Sequence, residues 1–143
     1  MSASDYLELE LLDHVLGGAD YARPATVYLA LYSAAPTDTG GGTELTNGTA
    51  PGYARTAITN DATNFPAATT NGTSGKAEKK LAVAHSSPAN SDGSNNWPTV
   101  VAWALFDTST GGNLLLRGAV APLAVTPGAQ FTVPADTVVL RAD

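Results

Sequence analysis

The stretch "VVAWALFDTSTGGNLLLRGAV", Val100 to Val120, decides the fold. Val100 to Phe106 is apolar at every position, Asp107 to Asn113 is turn chemistry, and Leu114-Leu115-Leu116 is apolar again. Two short apolar runs joined by a Gly-rich turn read as an antiparallel hairpin. Alternation sets Val101, Trp103 and Leu105 on one face and Ala102, Ala104 and Phe106 on the other. Since both faces are apolar, both must be covered, and the small alanines mark where another element approaches closely.

The same two-sided character appears upstream in "ATVYLALYSAAP", where Val27, Leu29 and Leu31 alternate with Tyr28, Ala30 and Tyr32. One face of this strand is expected in the core beside Trp103, Leu105, Leu114 and Leu116. The other is expected under the N-terminal helix or a neighbouring chain. Leu9, Leu12 and Leu16 follow the i, i+3, i+7 spacing of one helical face, with Ser4 placed as N-cap and Gly17-Gly18 as the stop. Further short runs, "YARTAIT", "KKLAVAH", "LAV", "QFTVP" and "TVVLR", are separated by Gly, Pro, Asn and Thr-rich loops. Six to eight short strands after one helix predict a mainly β fold: an antiparallel β-sandwich, jelly-roll-like, with one N-terminal amphipathic helix. The expected organisation is a single domain over 1–143, with the helix at about 5–16 and the sandwich at about 25–141.

Composition narrows the partners. Of 143 residues 13 are acidic and 7 basic, a net charge of −6 that supplies no cationic stripe for a phosphate backbone, so no direct nucleic-acid partner is expected. No apolar run approaches the ~18 residues of a membrane span, and the acids of "MSASDYLELELLDHVLGG" do not suit a signal peptide. The reading is therefore synthesis in the cytoplasm without membrane insertion. Charged residues make up only 14% of the chain, where about a quarter is usual, and a surface so poor in charge suits a protein with neighbours.

Little in the chain carries chemistry. There is no cysteine, and His14 and His85 sit in no metal or catalytic spacing. The acids single out no pair, "NSDGSN" (90–95) reads as an ordinary turn rather than a calcium loop, and Gly40-Gly41-Gly42 lacks the context of a phosphate loop. No catalytic residue, metal or cofactor is expected. Tyr53, Arg55 and Trp97 stand beside polar loops, where interface anchors are found, and equally suit core positions at strand starts. Phe65, alone in a polar stretch, pins its loop to the body. With Leu9, Leu12 and Leu16 these residues form the candidate interface set. Val27, Leu29, Leu31, Val101, Trp103, Leu105, Leu114 and Leu116 form the candidate core.

Four segments together, "SDYLELELLDHVLGG", "RPATVYLALYSAAPTDTGGGTEL", "GYARTAITNDATNFPAA" and "TVVAWALFDTSTGGNLLLRGAV", resemble small tailed-bacteriophage virion structural proteins of the kind called phage tail fiber protein. The resemblance implies a β-rich, non-enzymatic particle component and brings no catalytic residues with it. A projecting fibre commonly trimerises through heptads or a β-helical shaft, and the chain has neither heptads nor internal repeats. The leading expectation is therefore a head decoration or cement protein on the major capsid protein. A tail fibre or baseplate component contacting tail proteins comes second, then a carbohydrate-binding module, with an enzyme a distant fourth. Low charge and two-faced apolar strands further suggest a homo-oligomer, such as a symmetric trimer, located in the virion.

Overall fold

The computed structural model describes residues 2–142 and is mainly β, with antiparallel pairing and one helix near the N-terminus. In chain order the elements are β1 (Ser2–Ala3), α1 (Asp5–Val15), β2 (Thr26–Ala34), β3 (Thr43–Glu44), β4 (Thr56–Thr59), β5 (Thr69–Thr70), β6 (Ala77–Lys80), β7 (His85–Ser86), β8 (Val100–Phe106), β9 (Leu114–Leu123), β10 (Thr132–Val133) and β11 (Val139–Ala142). The strand number exceeds the six to eight expected because five strands are two-residue pairings. Such pairings are too short to leave an alternating pattern in the sequence.

The Val100–Val120 hairpin forms β8 and β9, and β2 pairs along the other side of β8, Leu31 opposite Trp103 and Leu29 opposite Leu105. The outer edge of β2 is divided between β4 at its start and β3 at its end, while β1 extends the sheet beyond β9. Two smaller sheets, β10-β7 and β11-β6-β5, complete the pairing. Val27, Leu29, Leu31, Trp103 and Leu105 share one buried cluster with Leu81, Phe131, Val133 and Val138, which come from the small sheets and their connections. The main sheet thus carries a second layer on one face, a sandwich-like arrangement.

The opposite face holds a smaller cluster of Ala30, Tyr32, Ala102, Ala104, Phe106 and Leu114. Here the register departs from simple alternation twice. A shift between Val100 and Ala102 leaves Val101 out of step, so Val100 joins Trp103 in the main cluster and half-buried Val101 packs against the alanine face. Another shift, between Leu105 and Phe106, sends Leu115 and Leu116 together to the main cluster and Leu114 to the other. The extra residues lie on β9: across the second shift it advances two residues, Leu116 to Leu114, while β8 advances one, the count of a bulge that exchanges the faces beyond it, and across the first it advances four, Leu123 to Ala119, while β8 advances two. The expected placements of Val101 beside Trp103, and of Leu114 beside Leu116, are corrected accordingly.

Two further expectations change. "KKLAVAH" is not one strand: β6 ends at Lys80, after which the Leu81 amide donates to the Val138 carbonyl and the Ala82 amide to that of Asn64, turning the chain into β7 of another sheet. Nor does the helix cover the second face of β2. Its single buried side chain, Leu7, joins the same cluster as Leu29 and Leu31, and the alanine face lies under Tyr32, Phe106 and the guanidinium of Arg55, 3.8 Å from the Phe106 ring centre.

Candidate functional site

The start of α1 is fixed by one buried serine. Ser4 is the N-cap: its hydroxyl accepts from the Leu7 amide at 3.2 Å and donates to the Leu114 carbonyl, while its own amide donates to the Leu115 carbonyl at 2.9 Å. A short polar side chain in extended backbone is what a helix N-terminus requires, since its first amides have no partner within the helix. The helix ends at a Leu16 cap, and Gly17, at φ 89°, takes the left-handed turn that stops it.

Between these ends α1 turns its leucines outward. Leu9, Leu12 and Leu16 are 65%, 57% and 78% exposed, and Leu11 and Val15 are exposed as well. Leu7 lies roughly 170° around the helix from the middle of the 9/12/16 stripe, at 100° per residue. The stripe therefore points directly away from the body that Leu7 anchors. Asp5, Glu8 and Asp13 stand at its margins and Glu10 lies nearer the body, all free of ion pairs among the described residues. A row of exposed leucines on a helix bonded to the sheet at its base forms an apolar surface patch.

The remaining interface candidates lie elsewhere. Tyr53 and Trp97 are core residues, their rings meeting edge to face at 5.9 Å. The Tyr53 hydroxyl accepts from the Leu31 amide at 3.0 Å and donates to Glu44 at 3.2 Å, and Trp97 Nε1 donates to the Pro51 carbonyl at 3.0 Å. Burial pushes the Tyr53 phenol far above its ordinary pKa. Arg55, its side chain 7% exposed, donates from Nε and Nη2 to the two Glu44 oxygens at 2.8 Å each and from Nη1 to the carbonyls of Thr108 and Gly111 at 3.0 and 2.8 Å. Burial alone lowers a guanidinium pKa, but the Glu44 hydrogen bond and charge more than restore it. These residues bind the 44–55 loop and the hairpin turn to the sheet, an internal role.

A cleft of about 480 Å³ opens beside this network, lined by Tyr6, Tyr32, Asp38, Arg55, Phe106 and Asn113 among others. Several of its polar groups are held by neighbours outside the lining. Asp38 accepts from Arg117 Nε at 2.8 Å, a bond that holds its carboxyl below the usual range, and Asn113 donates to Asp107 at 2.8 Å. Of its aromatic residues Tyr32 and Phe106 are buried and Tyr6 is half-buried.

Phe65 is half-buried and leads to a feature that sequence reasoning missed. It lines an apolar groove of about 200 Å³ floored by Val27, Leu81, Leu105 and Val138, beside which stand Arg23, Lys79 and Lys80. The only sign of this groove in the sequence is the "EKK" of β6, whose Glu78 is buried and accepts from Arg141 at 2.7 Å and Asn71 at 2.6 Å. Those bonds, the one from Arg141 first, keep the Glu78 carboxyl below its usual range. The histidines and the "NSDGSN" loop have ordinary structural partners: His14 Nδ1 accepts from the Tyr21 amide, His85 Nε2 meets Asn64 Oδ1 at 2.8 Å, and Asp92 accepts the amides of Ser94 and Asn95.

No curated protein matches the chain. A family model described as "Podophage GP4 fiber I protein gp80" matches residues 2–141, which supports the fibre alternative rather than the head-decoration reading that led the sequence analysis. With nearly its whole length covered by that model, the chain belongs to the podophage GP4 fiber I protein gp80 family of phage structural proteins.

Proposed function

We propose that this protein is a non-enzymatic structural subunit of a podophage tail fibre, held in the virion by protein–protein contacts made through α1. The observation that carries the reading is the exposed Leu9, Leu12 and Leu16 stripe on a helix whose base is fixed by Ser4, in a chain that the fibre family covers from residue 2 to 141. Groups elsewhere that would suit catalysis are occupied by structural bonds: Glu78 by Arg141 and Asn71, Asp38 by Arg117, Glu44 by Arg55. No helix among the described residues is long and apolar enough to cross a membrane, so the leucine face is read as a surface for another protein. Quantitative mass spectrometry of purified particles, combined with gold labelling of a tagged chain, tests the assignment. A small multiple of three or six copies located at the tail is the expected result. Hundreds of copies over the head would restore the decoration reading, and absence from particles would remove the virion role.

A further inference from the structure

We propose that copies of this chain associate head to tail, the α1 leucine stripe of one copy seated in the apolar groove of the next. The proposal rests on the structural-subunit reading, in which the chain works in several copies, and it names the two surfaces that meet.

The two surfaces match in apolar character and in the charge at their margins. The donor is Leu9, Leu12 and Leu16, projecting away from their own body and bordered by Asp5, Glu8 and Asp13. The acceptor is the groove over Val27, Leu81, Leu105 and Val138, with Arg23 and Lys79 exposed at its margin and Lys80 between them and Glu78. At about 200 Å³ it exceeds the ~150 Å³ that accommodates a benzene molecule, which is room for one or two leucine side chains. Neither Arg23 nor Lys79 forms an ion pair among the described residues, and neither do the helix acids. Acidic margins around an apolar ridge therefore face basic margins around an apolar groove, the complementarity that fixes register between partners.

Alternatives within the same chain fail on the same facts. A copy cannot fill its own groove, because Leu7, on the opposite face of α1 from the stripe, forms part of the groove wall. Two helices packed stripe to stripe would bring Glu8 and Asp13 of each copy together without a lysine or arginine on either helix to offset them. Another cleft, lined by Glu8, Leu11, Lys79 and Leu140, runs from the side of the helix to the groove, with which it shares Lys79 and Leu140. Because ridge and groove are different surfaces, the contact is heterologous, and its angle sets the copy number at which it closes.

Sedimentation of the purified full-length chain across the micromolar range tests this, together with two variants. Leu12→Glu/Leu16→Glu alters only exposed side chains and disables the ridge, while Arg23→Glu/Lys79→Glu reverses the groove margin. Both should keep the parent's circular dichroism and melting temperature. The parent should associate, each variant should associate more than about tenfold more weakly, and an equimolar mixture of the two should form a one-to-one complex, since one intact ridge and one intact groove remain. A monomeric parent, a variant that assembles like the parent, or a mixture that stays monomeric overturns the proposal. Those outcomes leave the structural reading intact if the chain is still found at the tail, whereas absence from virions removes that reading whatever the chain does in solution.

Discussion

Trp103 and Gly118 face each other across the β8–β9 hairpin, and the indole lies over the glycine so closely that a Cβ there would fall 2.6 Å from Cζ2 and 2.7 Å from Cε2. Trp103→Ala removes a 3% exposed indole from the main core, which should cost about 3–5 kcal/mol. At this chain length that is a fall in Tm of about 10–20 °C. Gly118→Ala should cost about 1–2 kcal/mol, the lower part of the overpacking range, because the cleft bordered by Phe131 and Val133 on the far side of the indole gives it one direction in which to yield. In the Trp103→Ala background the same methyl group meets empty space, and Gly118→Ala should become neutral or stabilise by about 0.5 kcal/mol through the restriction it places on the unfolded chain. The cycle, measured by urea denaturation followed by far-ultraviolet circular dichroism, therefore predicts a coupling of about 1–2.5 kcal/mol. If Gly118→Ala costs the same in both backgrounds, to within about 0.5 kcal/mol, the indole does not rest on the glycine and the packing account fails.

Arg55→Ala should destabilise by about 2–3 kcal/mol, less than a fully buried pair because Glu44 keeps a quarter of its exposure, and Arg55→Lys should recover less than half of that, since one ammonium cannot serve a carboxylate and two carbonyls. Ser4→Ala should cost about 1–2 kcal/mol and speed amide exchange throughout the first turn of α1, as both the cap and the Leu114 carbonyl lose their partner. Acid should loosen the fold in two stages. His85 has its pKa lowered by burial, so the folded state favours neutral imidazole, and stability begins to fall once the pH drops below the unfolded histidine value of about 6.5. Glu78 is held low by Arg141, so its contribution is complete above the unfolded carboxylate value of about 4.3 and is lost as the pH falls through the lower folded value. A melting-temperature series from pH 8 to pH 3 reads both, and His85→Gln should flatten the upper stage alone.

The hairpin and its partner strand were legible because burial on both faces leaves a continuous apolar run whatever the register. Face assignment within that run was not. The register shifts opposite Val101 and between Leu105 and Phe106 insert residues on β9, and no residue type marks them. Ser4 and the stop at Gly17 were readable because caps impose residue types. The leucine stripe was readable as apolar, but its outward direction depends on Leu7 alone reaching the core. Tyr53 and Trp97 show the reverse difficulty. An aromatic residue next to a polar loop looks the same in sequence whether the loop folds back over it, as Pro51 does here, or leaves it bare. The groove was invisible because its floor joins strands β2, β8 and a connection after β6, residues that no local pattern brings together.

The connectivity of the main sheet sets the order of events during synthesis. β1, which leads into α1, has its partner at Leu116 and Arg117, and the Ser4 cap is tied to the carbonyls of Leu114 and Leu115. The helix leaves the ribosome first but has nothing to hold it until those residues have also emerged, more than a hundred positions later. An 11-residue segment of this kind is marginal as an isolated helix, so the leucines remain on an unstructured tether during that interval. Pairing across so long a separation is slow to nucleate, which exposes the nascent chain to chaperones and to its neighbours on the same message. The leucine face is therefore set in place only after Leu114 to Arg117 have emerged, and the groove, whose lining includes Val138 and Leu140, is completed later still.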